Sequence, residues 1–587
     1  MVRSKARVIR ALALGVAAAL TLAACGGQPA SPGSSDGTGT TPTPGGTIYM
    51  LTTAEQWNRI DPQRAYTGED LAFFGATITR SLVSYKYSTD VEEANSLVPD
   101  LATDIGTPNA DASEWKFTLQ DGPKWQDGSP VTCEDVAYGV SRTFATGVIS
   151  EGPTYQIAYL DIPKDEDGTS SYKGPYPIDG KVVGQELYDK AVSCDGSTIT
   201  FKLAQSVPDF NFTTTLGFSP VPKAADTGEK YDSADVVSNG PYMIDTYETG
   251  NGGKFILVRN PEWDPAFDTV RKAYPDTWEV DFGIDVQVMD QRIMQSTGND
   301  AFTIQYGNVQ PANLATVFTD PQTPTPQFAG RAVSDFDPYS LYLWINVEKV
   351  PDLKIRQAMA VALDREAVRL NAGGAFAGDL ADGVIKPNIG VDYAETGWAT
   401  DLFGEAIPPA GNPELAKTLI ADSGKPAPTL KYDYPSTPVN DQAAAIVKAS
   451  LELAGFKVTP NPIEAGVYYS VVFDPAKKGD FGSGGWGPDW PNASTVIPPL
   501  FTHEGGWDLS EVEDKDFNVK VKAAQTELDR PTQATMWQDL NKEAALNAWI
   551  IPTRFGLTQV IAGSKVQPVY QWAPYGSWPY AVMYVTQ

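Results

Sequence analysis

Apolar and polar positions along the chain alternate between two periods. In "NPELAKTLIADSGKPAPTLKYDYPS" the apolar residues Leu415, Leu419 and Ile420 recur at helical spacing. Asn412 stands as N-cap, Pro413 at the first helical position and Gly424 as the stop, and the pattern predicts a strand over residues 429–434 behind them. "DQAAAIVKASLELAGFKVTP" predicts a further helix closed by Gly455 and a strand over 456–458. Strand, helix and strand in that order read as a parallel α/β layer with a crossover helix. Ile355, Met359, Ala362 and Leu363 form one apolar stripe, predicting a single helix over 354–370 that ends at "NAGG". "WEVDFGIDVQVMD", residues 278–290, alternates and predicts a half-buried strand. These stripes read as core, and no internal repeat interrupts them.

The N-terminus follows neither period. Arg3, Lys5, Arg7 and Arg10 precede an apolar run over 11–24, a secretory signal too short to serve comfortably as a membrane anchor. Leu22-Ala23-Ala24-Cys25 resembles the bacterial lipobox, which implies a diacylglyceryl group on Cys25 and cleavage before it. A single acyl chain holds only marginally, so stable anchoring implies multiple acylation. Residues 26–46 are almost all Gly, Ser, Thr or Pro, a flexible tether of about 25 Å root-mean-square reach.

The chain has 587 residues, and the body beyond the leader is too long for one ordinary core; two or three lobes are expected. Its formal charge of −29 argues against nucleic acid or an anionic membrane surface as partner. Cys133 and Cys194 are the two cysteines of the body, and in an oxidising compartment such a pair reads as a disulfide, although sequence alone leaves their geometry open. Catalytic signatures are sparse. The sole histidine, His503 in "FTHEGGW", has Trp507 three places beyond Glu504, so the zinc-protease motif is missing. No Gly-Lys pair precedes Ser or Thr, no CxxC occurs, and the one GxSxG match (33–37) lies in the tether. With 73 acidic residues, a carboxylate-pair glycosidase stands as the enzyme-class alternative.

"LQDGPKWQDGSPVTCEDVAYGVSRTF", residues 119–144, closely resembles the signature of family 5 extracellular solute-binding proteins, the oligopeptide- and dipeptide-binding lipoproteins of ABC importers. Its Asp-Gly pairs suit turns between strands, and Thr132 can cap a helix with Asp135 three residues on. "SLVPDLATDIG", "SNGPYMIDTYETGNGGKFILVRNPEWD", "LWINVEKVPDLKIRQAMAVALDREAV" and "GGWGPDWPNAS" are similar to family segments in the family's order. The resemblance implies an α/β, three-lobed periplasmic-binding-protein-like fold that closes over ligand by hinge motion. Expected boundaries are 47–74, 215–335 and 548–587 for lobe I, 75–214 for lobe II and 336–547 for lobe III, with Cys133 and Cys194 both in lobe II. It also implies a monomer that is not an enzyme, needs no cofactor, and is lipid-anchored outside the cell membrane. Its partners would be a peptide ligand and an ABC permease with its ATPase.

In peptide-binding members an acid in a Gly-Trp-x-x-Asp segment receives the peptide's α-ammonium; here the segment is Gly485-Trp486-Gly487-Pro488-Asp489. Trp486 and Asp489 are therefore the leading ligand-binding candidates. Tyr66-Thr67-Gly68 resembles the first-lobe loop beside the ligand backbone, Tyr155 a second-lobe aromatic facing the cavity, and Tyr339 and Tyr342 third-lobe wall residues. Pro488 departs from the pattern and stiffens the approach to Asp489. A nickel- or haem-binding role would have only His503 as a histidine ligand, whereas 14 Trp and 26 Tyr keep oligosaccharide binding as the alternative ligand class.

Overall fold

The structure, a computed structural model, describes residues 42–502 and 505–586. The leader, Cys25, most of the tether, and His503 with Glu504 lie outside the described residues.

Three main sheets organise the body. The first has five strands in the order Thr303–Gln305, Thr47–Leu51, Thr277–Asp281, Lys254–Arg259 and Tyr242–Tyr247. Thr47–Leu51 runs parallel to both its neighbours, and the other pairs are antiparallel. Its core is aromatic: Trp57 stacks on Phe73 at 5.3 Å and meets Phe255 and Phe282 edge-on. The second sheet is antiparallel, in the order Thr107–Pro108, Glu114–Thr118, Thr198–Lys202 and Val192–Asp195. Strict alternation along its central strands buries Trp115, Phe117, Ile199 and Phe201 on one face.

Helix Cys133–Arg142 starts where the sequence places a cap. The Asp135 N–H donates to Thr132 Oγ1 at 3.2 Å, and the Thr132 N–H donates back to Asp135 Oδ2 at 2.9 Å. Cys133, at its first position, is joined by a disulfide to Cys194 on the edge strand Val192–Asp195, with Cα atoms 6.0 Å apart.

The third sheet has six strands, ordered Asp379–Leu380, Ile550–Ile561, Ala332–Ile345, Phe481–Trp486, Thr429–Ser436 and Lys457–Glu464. The last two are parallel and joined by the crossover helix Pro438–Leu453. Helices cover both faces, with Met359, Leu430 and Leu451 in one core and Trp344, Phe517 and Trp537 in the other. Asn412 caps helix Pro413–Asp422 by accepting from the Leu415 N–H at 3.0 Å, and Gly424 takes φ +67° just past its end.

Two expected elements differ. Residues 354–370 form two helices, Leu353–Ala362 and Arg365–Asn371. Leu363 is extended between them, and the Asp364 carboxylate accepts from the Ala367 N–H at 2.8 Å, a new cap that competes with continuing the first helix. The strand expected over 278–290 stops at Asp281. Gly283 at φ +67° turns the chain, and Asp285 caps helix Val286–Gln295 by accepting from Gln287 and Val288. Buried Met289 and Ile293 satisfy a helical period as well as an alternating one, which is why the pattern misleads.

Two long strands link the first and third sheets. Ala332–Phe336 pairs with Leu557–Ile561 beside the five-stranded sheet, where Ile304 bridges to Ala562, whereas Ser340–Trp344 pairs with Ile550–Phe555 inside the six-stranded sheet. The register breaks between Phe336 and Ser340, opposite Gly556. A Cβ on Gly556 would collide with the Asp337 carboxylate, so a larger residue there would have to displace the side chain that Lys386 holds. Lys386 pins the break: its ammonium donates to Asp337 Oδ1 at 2.6 Å, the Tyr339 carbonyl at 3.0 Å and the Gly556 carbonyl at 2.8 Å. The second crossing thus falls near Gly556, beyond the expected start of the returning lobe I segment at Ala548, because residues 550–555 pair within the third sheet. No helix among the described residues is long and apolar enough to cross a membrane.

Candidate functional site

A cavity of about 1860 Å³ opens between the lobes carrying the three sheets. Strand Phe481–Trp486 forms one wall, and its sequence "FGSGGW" has a steric reason. Side chains at Gly482 and Gly484 would run into the rings of Trp344 and Tyr342. The strand pairs along its whole length with Ser340–Ile345, but on the other side only Phe481 and Gly482 have partners. From Ser483 to Trp486 one strand edge therefore has no strand partner among the described residues, although the Ser483 carbonyl accepts from the Tyr468 hydroxyl at 2.6 Å and from Trp344 Nε1 at 3.1 Å, and these residues line the cavity.

Trp486 is fixed by donation from Nε1 to the Thr495 carbonyl at 2.6 Å, and its ring lies 5.2 Å from that of Trp507. Tyr469 adds a third ring, 4.9 Å from Trp507. Asp489 comes next on the loop beyond the strand, its N–H donating to Thr495 Oγ1 at 3.2 Å. Its Oδ2 accepts from the Tyr155 hydroxyl, and the Tyr66 hydroxyl is a second donor. Desolvation raises the Asp489 carboxyl to about 6, against the opposing effect of the two tyrosine hydrogen bonds. The Tyr66 and Tyr155 hydroxyls are pushed up in turn, first by burial and then by the Asp489 charge. Among the described residues no Lys or Arg lies within ion-pair distance of Asp489.

Tyr66, Gly68, Tyr155, Tyr339, Tyr342, Trp486 and Asp489 all line the cavity. Tyr339 stands on the strand break and is half exposed, its N–H donating to Asp337 Oδ1 at 2.7 Å. Tyr342 is almost wholly buried, and its ring packs over Gly484. Thr67 is the exception. It turns away into a separate recess of about 360 Å³ shared with Asp70 and Tyr306, because it directly precedes helix Gly68–Thr77 and adjacent side chains point apart. Cys133 and Cys194 do not line the cavity, and Cys25 is outside the described residues.

Sequence reasoning does not single out three residues in and around this site. Trp490, next to Asp489, is buried with its ring edge-on to Tyr155 at 4.8 Å, and its Nε1 donates to Asp209 Oδ2 at 2.7 Å. Asp209 also accepts from Ser494 Oγ at 2.6 Å. Adjacency to Asp489 points to Trp490, whereas nothing in the local pattern around Asp209 marks it. Arg554, on strand Ile550–Ile561, also lines the cavity. Among the described residues no group of three or more His, Cys, Asp or Glu could hold a metal ion.

Three α/β lobes around a large cleft, with a desolvated carboxylate and an unpaired strand edge on its wall, define a ligand-binding protein of the periplasmic type. The chain belongs to the bacterial extracellular solute-binding proteins, family 5, which it matches over residues 96–508. It is 29% identical to the periplasmic oligopeptide-binding protein OppA of Salmonella typhimurium over 269 residues, 44% of each chain. That match spans less than half of the relative's length. The oligopeptide-binding protein AliB of Streptococcus pneumoniae is 23% identical over 542 residues, 80% of this chain and 79% of that one. Among solved structures, clavulanic acid biosynthesis oligopeptide binding protein 2 superposes with a TM-score of 0.81 at 23% identity, covering 93% of this chain and 96% of the other. AppA of Bacillus subtilis in complex with a nonapeptide superposes with a TM-score of 0.64 at 15% identity, over 93% and 100%.

Proposed function

We propose that this chain is the lipid-anchored solute-binding component of an ABC importer, capturing peptides outside the cell membrane and delivering them to a permease. The observation that carries the peptide reading is Asp489. A desolvated carboxylate held by two tyrosine hydroxyls, with no cation of the described chain beside it, suits a ligand ammonium, which would make a charge-assisted hydrogen bond there. The edge from Gly484 to Trp486, which has no strand partner among the described residues, suits an extended peptide backbone in the manner of β-augmentation. A cavity of about 1860 Å³ exceeds what a drug-sized ligand needs and leaves room for several residues. The relatives named as oligopeptide-binding proteins agree with this reading. Calorimetry with a peptide library against an oligosaccharide panel, preceded by mass spectrometry of co-purified ligand, tests it; binding of glycans alone would replace peptide by oligosaccharide.

Anchoring rests on Leu22-Ala23-Ala24-Cys25 and the tether behind it. Cys25→Ser is expected to release the protein or strand its precursor. An unmodified wild-type N-terminus with unchanged fractionation would overturn the anchor.

A further inference from the structure

The small recess that receives Thr67 has a charge imbalance of its own. Asp70, in the first turn of helix Gly68–Thr77, lines it together with Tyr306, whose hydroxyl donates to Asp70 Oδ1 at 2.6 Å. Asp70 is 2% exposed, and this is the one hydrogen bond its carboxylate makes among the described residues, so Oδ2 keeps unused acceptor capacity. Glu69 adjoins it in the chain. Burial raises the Asp70 carboxyl to about 6 and the Glu69 carboxyl to about 7, with the Asp70 charge adding to the second. No Lys or Arg among the described residues acts on either group. The helix N-terminus supplies only about half a positive charge against two carboxylates.

The rest of the lining decides what could restore the balance. Trp57, Phe282 and Tyr306 all face the recess, the last two lying edge-on to Trp57 at 5.8 and 5.7 Å. The Thr67 side chain makes no capping bond to the helix it precedes, which leaves its hydroxyl available. Ala54, Gln56 and Asn58 are exposed and form the mouth. A hard metal ion needs about six oxygen ligands, whereas the recess offers one carboxylate among aromatic walls, and no metal-holding group occurs among the described residues. An anion or a neutral solute would leave the carboxylate unopposed. The volume of about 360 Å³ stands at the small end of ligand pockets. The recess and the cleft share no lining residue.

We infer that this recess is a second ligand site, separate from the cleft, which takes a small primary ammonium carried on an apolar stem. Asp70 and the Thr67 hydroxyl accept from the ammonium, and the rings of Trp57, Phe282 and Tyr306 cover the stem. A charge-assisted hydrogen bond to a desolvated carboxylate is roughly twice as strong as a neutral one, and an aromatic face attracts a neighbouring cation. The peptide reading of the cleft is not needed for this inference.

Calorimetry with n-butylammonium chloride tests it on Asp489→Asn, in which the cleft carboxylate is neutral, and on the same chain with Asp70→Asn added. Tetramethylammonium chloride and 1-butanol at matched ionic strength are the comparison probes. Asp489→Asn is expected to bind butylammonium at one site, about 10-fold or more tighter than either comparison probe. Adding Asp70→Asn should weaken that binding about 10- to 100-fold. No binding by Asp489→Asn, equal or tighter binding of tetramethylammonium or 1-butanol, or binding undiminished by Asp70→Asn overturns the inference. Asp70→Asn alters a buried bond to Tyr306, so Thr67→Leu in the Asp489→Asn chain is the second variant, adding bulk to a half-buried side chain inside the recess. It must also weaken butylammonium, and unchanged binding overturns the inference even if Asp70→Asn does not fold. Failure of peptides to bind the cleft would remove the peptide reading and leave these outcomes as they stand.

Discussion

The Trp490 indole donates to Asp209 at 2.7 Å, joining the loop after the glycine-rich strand of the six-stranded sheet to the lobe built on the four-stranded sheet. Trp490 is 2% exposed and packs edge-on against Tyr155 at 4.8 Å, so the loop is held to that lobe by a ring contact as well as by the hydrogen bond. Asp209 touches no part of the cavity, yet it holds both Trp490 and Ser494, residues of the loop that carries Asp489.

Asp209→Ala is therefore expected to weaken closure without altering ligand choice. It strands a buried indole N–H, a cost of about 1 to 3 kcal/mol, or roughly 5- to 150-fold in apparent affinity for every ligand alike. Calorimetry across several ligands should show one common factor, and small-angle scattering a more open average shape. A change in ligand ranking would contradict this.

Asp489→Asn keeps the side-chain shape and removes the charge. Truncating a buried charge pair costs about 2 to 5 kcal/mol, much of it from stranding the partner. Wild type should discriminate against N-acetylated peptides by a comparable amount. In Asp489→Asn that discrimination should largely vanish, a double-mutant comparison that separates loss of the pair from general damage. Equal binding of free and acetylated peptides by wild type removes Asp489 from ammonium recognition.

Binding should also depend on pH through this group. The Asp489 carboxyl is raised to about 6 by burial, so it is largely protonated below that value and cannot pair with an ammonium. Affinity should rise with pH up to about 6 and then level off, losing close to tenfold per unit on the acid side. Asp489→Asn should flatten this profile. The stability effect has the opposite sign: with its pKa raised on folding, Asp489 binds protons more tightly in the folded chain, so its contribution to stability decreases as pH rises from about 4 to about 6. Asp70, raised to about 6 by burial, acts in the same direction, so only the ligand titration isolates Asp489.

Removing the disulfide by Cys133→Ser with Cys194→Ser should leave binding almost intact, because neither residue lines the cavity. A loop of 61 residues in sequence separation, once released, gives the unfolded chain entropy worth about 4 kcal/mol in the chain-entropy account. Thermal unfolding of the second lobe should move down accordingly, and non-reducing peptide mapping of wild type should recover the 133–194 link rather than two free thiols.

What sequence reveals here is local. Asn412 before Pro413, and Thr132 three residues before Asp135, are caps whose partners sit within one turn, and both form in the structure. The helix expected over 354–370 fails because Asp364 offers the backbone a second cap that a periodicity count does not weigh. Asp489 is a candidate because the contiguous segment Gly485-Trp486-Gly487-Pro488-Asp489 resembles one of the family, and it lines the cavity. Asp209 and Trp490 are 281 positions apart, and Asp337 and Lys386 are 49 apart. Such relationships arise from the folded lobes and leave no periodic trace along the chain.

The glycine-rich strand also limits how this protein can change its cargo. Side chains cannot be added at Gly482 or Gly484 without displacing Trp344 or Tyr342. At those two positions the wall has no room for a different side chain, so a change of ligand preference would have to come from Ser483, Trp486 or the other sides of the cleft. The half-exposed aromatics Tyr66 and Tyr339 and the rim lysines Lys164 and Lys522 are where such divergence has room to accumulate.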